Sequence, residues 1–241
     1  MIAVLNVLIP LIYVGFSIAE VRWPALPLAG GSRFRRVQGA LFFLMAGAIM
    51  TNVPVLVQGR VHLFSLASLG PVAGALVSLL AVNVLNYGWH RARHRVPVLW
   101  RLLHQLHHSS ERLDVASAFY FHPLDVLGTA LLVSLTTTLL GVTPAAAALS
   151  GFIGFVIALL THANLRTPRW LGYVVQRPES HSVHHARGVH AFNYADLPIV
   201  DMLFGTFRNP ERPEATVGFY PGAEKRLGAM LAGMQVSPPR L

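Results

Sequence analysis

The chain has 241 residues, of which 54% are hydrophobic and 12% charged, roughly half the ~25% charged share of an ordinary soluble domain. That deficit argues against a free-standing soluble enzyme and against intrinsic disorder; nineteen basic residues against ten acidic ones give a net charge of +9, which beside long apolar runs favours contact with anionic lipid headgroups over nucleic acid. There is no cysteine, which excludes disulfides, thiolate metal sites and thiol nucleophiles, and there are twelve histidines to explain.

Five stretches in chain order are apolar enough to cross or deeply enter a membrane: Ile2–Ala19, Val37–Val57, Pro71–Tyr87, Leu124–Leu140 and Ala145–Thr161. Each runs 17 to 21 residues, close to the ~20 that span about 30 Å of hydrocarbon. Only Asp125, at an edge, is formally charged. The first stretch lacks a basic leader and holds Pro10, so Ser17-Ile18-Ala19 reads as part of a retained helix, not a cleavage site. Leu63–Gly70 reads as an interfacial or re-entrant lead-in, because Gly70-Pro71 marks a helix start. Gly141-Val142-Thr143-Pro144 leaves room only for a tight helical hairpin.

Arginine placement predicts sidedness. Arg22, Arg33, Arg35 and Arg36 follow the first span; Arg91, Arg93, Arg95, Arg101 and Arg112 follow the third; Arg166, Arg169 and Arg177 follow the fifth. Only Arg60 lies between the second and third. The positive-inside rule makes the arginine-rich side cytoplasmic. Segments 88–123 and 163–241 are therefore expected to form one cytoplasmic cap, with His62 on the opposite side. The arginines among the histidines are expected to be solvated or lipid-facing. Residues 207–241, with Pro210, Pro213, Pro221, Pro238 and Pro239, are expected to form a poorly ordered extension.

Eight histidines fall in three clusters on the predicted cap side: His90-x3-His94, His104-x2-His107-His108 and His181-x2-His184-His185. Residues three and four apart share a helix face, so each cluster aims two or three imidazoles one way. Pro97 provides a break that lets a second helix fold back behind the first. Eight ligands exceed one ion's demand, which implies two metals. Imidazole suits zinc, copper, iron and nickel, whereas a soluble di-iron bundle would show Glu-x-x-His ligands. Carboxylates are scarce nearby: Glu111, Asp114, Asp125 and Glu179. A redox metal beside lipid points towards oxidation of C–H bonds with dioxygen. His190 is expected to be solvated or to support a ligand.

The order HxxxH, HxxHH, HxxHH resembles the membrane fatty acid hydroxylase/sterol desaturase superfamily. Its surroundings match too: Tyr87-Gly88-Trp89-His90-Arg91, Leu99-Trp100-Arg101, His107-His108-Ser109-Ser110-Glu111, Phe121-His122-Pro123-Leu124-Asp125, Thr161-His162-Ala163-Asn164, Asn193-Tyr194 and Asp201-Met202-Leu203-Phe204-Gly205-Thr206. The resemblance covers about 80–210. It departs at Ala195, where glycine is usual, and at Val200, where tryptophan often stands.

This resemblance implies an all-α integral membrane bundle of four to five apolar helices, with a cytoplasmic helical cap holding a His-rich dimetal site. Residues 1–79 would be N-terminal membrane helices, 80–210 the catalytic domain and 211–241 a cytoplasmic tail. The implied activity is a di-iron, O2-dependent oxidoreductase that hydroxylates or desaturates a lipid or sterol-like substrate. His90, His94, His104, His107, His108, His181, His184 and His185 carry over as ligands of two iron ions, with His162 as a ninth. His122 carries over as a ligand or as an orienting partner. Asn193 and Asp201 are expected to orient imidazoles, with helix capping or an interfacial hydrogen bond as the alternative. The chain is expected to bind no heme, flavin or nicotinamide and to carry no fused cytochrome b5-like domain at either end. Electrons are therefore expected from a separate cytochrome b5 or ferredoxin type carrier. The arginine-over-lysine bias hints at a bacterial plasma membrane. The rival reading is a zinc-loaded, non-redox hydrolase or metal-binding module, since zinc readily occupies all-histidine sites. A channel is disfavoured because the span centres lack ionisable residues.

Overall fold

The computed structural model describes residues 1–27, 33–57 and 62–237, excluding the side chains of residues 33 and 34. Arg60, the Arg33 side chain, Pro238 and Pro239 lie outside the described residues. The described chain is helical, with one isolated bridge between Ala186 and Val217. Five helices are long and apolar enough to cross a membrane: α1 (Ile2–Arg22), α2 (Arg33–Val57), α3 (Gly70–Arg95), α6 (Pro123–Leu140) and α7 (Pro144–His162). Shorter helices α4 (Pro97–Leu99), α5 (Gln105–His108), α8 (Pro178–His185), α9 (Pro198–Leu203) and α10 (Leu227–Leu231) build a cap at one end.

Proline opens α3, α4, α6, α7, α8 and α9 within the first turn, where its missing N–H costs nothing. The hairpin between α6 and α7 closes on Gly141, left-handed at φ 62, and Thr143 Oγ1 caps α7 by accepting from Ala146 N at 3.1 Å. A Cβ on Gly141 would collide with the Phe64 carbonyl oxygen, so this turn requires glycine. The predicted lead-in is a short 3-10 turn, Leu66–Leu69, at that end.

In lipid, helices associate through close backbone approach more than through the hydrophobic effect. The contact of α3 with α7 follows this pattern: Gly74 faces Ala146, both buried, and the small residues Ser78 on α3 and Ser150 on α7 are buried as well. A Cβ at Gly74 would meet Ala146 Cβ at 2.9 Å. Outer faces carry the large apolar residues, with Val4, Val7, Leu11, Val14 and Ile18 exposed along α1 and Val72, Leu76, Leu80 and Val84 along α3. This inverts a soluble bundle and provides a lipid-facing surface. The 26 residues of α3 extend ~39 Å at ~1.5 Å per residue, beyond ~30 Å of hydrocarbon. Its last turns therefore project beyond the apolar layer. The histidine-bearing ends of α3 and α7 lie together, and His62 bonds the Thr138 carbonyl at the far end of α6 (2.9 Å).

Two expectations are corrected. Two arginines among the histidines are buried and paired instead of solvated or lipid-facing: Arg93 with Asp125, and Arg177 with Glu179 at 3.0 Å. In each case a carboxylate offsets the cost of desolvating the guanidinium. The C-terminal segment is also packed, as far as Ser237. Phe219, Ala223, Met230 and Val236 share a core with Trp100, Leu106 and Tyr120. Trp100 Nε1 donates to Ser237 Oγ at 2.8 Å, and Gln105 Oε1 accepts from Val236 N at 3.0 Å. Apolar residues spaced between the prolines supply enough burial to order the segment.

Candidate metal centre

The end of α3 presents His90 and His94 one turn apart. The chain then breaks at Val96-Pro97, and a π-helical turn, Trp100–His104, leads into α5. Where a plain helix was expected for the second cluster, the wider turn re-aims its side chains. His162 is the last residue of α7, and α8 carries the third cluster.

Nine histidines form two sets, all buried. His90, His94, His104, His108 and His184 make one; His107, His162, His181 and His185 make the other. Within each set the available ligand nitrogens lie within 4.8 Å of one another. Each HxxHH cluster is therefore divided. The i,i+4 pairs His104/His108 and His181/His185 stay together, while His107 and His184, about 100° around their helices, cross to the opposite set. The rings of His108 and His185 stack at 4.1 Å, joining the sets back to back.

Outward hydrogen bonds fix the rings. Nδ1–H of His90 donates to the Tyr194 carbonyl at 2.7 Å, that of His184 to Phe192 at 2.8 Å, and that of His162 to Ala158 at 2.9 Å. His104 Nδ1–H donates to Asp125 Oδ2 at 2.7 Å, and Asp125 pairs through its other oxygen with Arg93. His181 Nδ1 lies 3.2 Å from the Gln176 amide, and His108 Nδ1 lies 3.1 Å from His190. His107 stacks on Phe121 at 3.9 Å. Protonating Nδ1 leaves the Nε2 lone pair facing the centre. The Nε2 atoms of His90, His104, His108 and His184 are buried with no hydrogen-bond partner. In the other set, His162 Nε2 lies 3.2 Å from His107 Nε2 and 3.1 Å from His181 Nε2.

Converging lone pairs in a dry site are costly unless a cation satisfies them, so these residues fit a metal pair. Burial, reinforced by neighbouring imidazoles, holds His104, His107, His108, His181 and His185 well below the ordinary histidine range; His184 is lowered to about 3 by burial. Neutral imidazoles are the ligating form.

The remaining candidates lie further out. His122 caps α6, its Nδ1 accepting from Leu124 N at 3.2 Å while Nε2 lies 3.2 Å from the Leu231 carbonyl; it is in neither set. Asn193 donates to the Ser180 carbonyl at 2.7 Å, and Asp201 accepts from Tyr194 N and Ala195 N at 2.8 Å each. These bonds fix backbone segments that carry or orient the clustered histidines, without touching an imidazole. His190, Phe192 and Asn193 are left-handed (φ 42, 67 and 46). This strained loop delivers the Phe192 and Tyr194 carbonyls to His184 and His90.

Sequence reasoning missed Arg93, Gln176 and Glu20 as supports. Glu20 Oε2 accepts from Val115 N at 2.8 Å and Asn164 N at 3.3 Å, tying α1 to the chain just past His162. Its sequence signal was an acid immediately after the uncharged stretch Ile2–Ala19. A cavity of about 590 Å³ lies alongside, its wall including Ala163 and Ser182, neighbours of His162 and His181, with Arg35, Glu111, Arg112 and Lys225.

A model of the fatty acid hydroxylase family matches residues 75–206. Over 135 residues the chain is 38% identical to ornithine lipid hydroxylase OlsE from Rhizobium tropici, covering 54% of this chain and 40% of that protein. It is 28% identical over 146 residues to alkylglycerol monooxygenase from Danio rerio, covering 59% and 32%, and 28% identical over 134 residues to that of Homo sapiens, covering 54% and 29%. The chain thus spans two fifths or less of each of these relatives. No solved structure matches it.

Proposed function

The chain belongs to the fatty acid hydroxylase family, and on that premise we propose that it is a multi-pass, di-iron, O2-dependent lipid hydroxylase. The observation that carries this reading is the pair of adjacent, carboxylate-free histidine sets, five and four strong. The nine histidines are its metal ligands. When bound, a redox-active metal pair supplies dioxygen activation, giving R–H + O2 + 2e⁻ + 2H⁺ → R–OH + H2O. The chain's part is to hold ligand number and ring orientation through Asp125, Tyr194, Phe192 and Gln176, and to keep water from the buried imidazoles. Electrons come from a separate carrier of cytochrome b5 or ferredoxin type.

Hydroxylation is favoured over desaturation by the names of the relatives, a hydroxylase and a monooxygenase. The substrate is a membrane lipid, and the mixed charge of the neighbouring cavity suits a polar headgroup. The arginine-rich end, with the site, faces the cytoplasm. A zinc hydrolase would need a carboxylate base at the metal. Asp125 is committed to Arg93 and His104, Glu179 to Thr167 and Arg177, and Asp114 to Arg35 and Ser117.

The test is anaerobic reconstitution with iron and metal analysis, alongside lipid mass spectrometry of cells with and without the protein under air and under nitrogen. The expected result is two irons per chain and an oxygen-dependent lipid gaining 16 mass units, roughly one oxygen atom, as C–H hydroxylation requires. Stoichiometric zinc with no oxygen-dependent lipid change would overturn the proposal.

A further inference from the structure

One face of the cap carries an apolar, aromatic surface that the metal centre does not use. Trp170, Tyr173 and Val174, on and beside a 3-10 turn (Arg169–Tyr173), lie near α9 with its Ile199, Leu203 and adjoining Phe204. These six side chains are between 48% and 75% exposed, far more than an apolar cap residue facing water should be.

The position of this surface along the bundle identifies its solvent. Leu197 N, one residue before α9, donates to Asn83 Oδ1 at 3.0 Å. Phe204, one residue after α9, stacks on Tyr87 at 4.7 Å. Asn83 lies seven residues before His90 in α3, ~10 Å deeper along the helix at ~1.5 Å per residue. At that level α3 exposes Val84 and Leu85. Thus α9 folds down beside a spanning helix, and its apolar face continues the lipid-facing surface of α3. Arginines flank it: Arg91 lies over the Tyr87 ring at 5.4 Å, Arg208 stacks on Phe192 at 4.3 Å, and Arg169, in the turn itself, pairs with Glu211 at 3.6 Å. Aromatic rings with flanking arginines are the composition of a membrane interface.

We propose that α9 and the Arg169–Tyr173 turn form an in-plane insertion, seated in the headgroup–acyl boundary of an anionic lipid leaflet. The insertion bears on the metal centre. Asp201 on α9 holds Tyr194 N, and the Tyr194 carbonyl holds His90. Anchoring α9 in lipid therefore braces one ligand's orientation. The seating itself is independent of which metal is bound.

The absence of cysteine permits a direct test. Ile199→Cys, Leu203→Cys and Trp170→Cys, with Ala215→Cys in the polar 211–216 loop as a water-exposed comparison, are each nitroxide-labelled. The protein is placed in phosphatidylglycerol/phosphatidylcholine nanodiscs, and collision with O2 and a water-soluble nickel chelate is measured by EPR power saturation. The three patch positions should show a several-fold higher O2-to-nickel ratio than position 215. Equal ratios at all four positions would overturn the proposal. If a cysteine variant fails to fold, brominated lipid provides a second readout on the unlabelled protein. It should quench a fluorescence component that Trp170→Phe removes, and unchanged quenching in that variant would likewise overturn it.

Discussion

Asp125 accepts from His104 Nδ1–H through one oxygen and pairs with Arg93 through the other. Asp125→Asn keeps an acceptor for the imidazole but leaves a buried guanidinium without its counter-charge. Removing one partner of such a pair costs about 3–5 kcal/mol, and losing the carboxylate behind a ligating histidine weakens metal binding by about 10–100-fold. Chelator competition and thermal unfolding of the purified protein should show both losses. Adding Arg93→Met should restore most of the stability and none of the affinity, which separates the two roles. His107 and His62 provide a second contrast. His107→Ala should strip metal from the second set and abolish activity. His62→Ala, at the far end of α6, should leave metal content unchanged. Equal metal loss in both variants would refute the assignment of His62 as a spectator.

At the scale of elements, α3 joins membrane packing to ligand placement. Its first half lies on α7 through Gly74, and its last turns carry His90 and His94. Gly74→Leu must push the two helices apart, because even a Cβ there meets Ala146 at 2.9 Å. Overpacking of this kind costs about 1–3 kcal/mol. The melting temperature should fall, and metal retention with it, since α7 carries His162. An unchanged melting temperature would show that the helices part freely there. The π-turn before α5 has a different task. It leads from the break at Pro97 into α5, where the i,i+4 pair His104/His108 stays together and His107 crosses to the other set, as His181/His185 and His184 do on the regular helix α8.

The whole molecule concentrates its titration risk in the buried imidazoles. In the metal-free fold they stay neutral well below pH 6.5, with His184 lowered to about 3, while those of the unfolded chain protonate near ~6.5. The unfolded state therefore binds more protons as pH falls, and stability falls with it. Thermal unfolding of chelator-treated protein between pH 7.5 and 4.5 should show a steep decline on the acid side. Metal-loaded protein should resist it until the ligands themselves protonate. A flat profile for the metal-free form would mean that these rings are not buried neutral.

The sequence by itself determined the five apolar helices, the location of most histidines at one end and the family. Each of these rests on spacing along the chain: about 20 apolar residues per span, histidines at three and four residues, and motifs in fixed order. It also placed His162 with the motif histidines, from its position at the end of the fifth stretch. Only the tertiary structure decided how the nine divide into two sets, because adjacent histidines diverge by about 100° and the partner of each lies on another helix. Arg93 and Arg177 were misread as solvated because burial and counter-ions depend on packing, which local composition does not encode. The C-terminal segment was misread for the same reason: its prolines stop long helices but do not prevent Phe219, Met230 and Val236 from closing a core around Trp100.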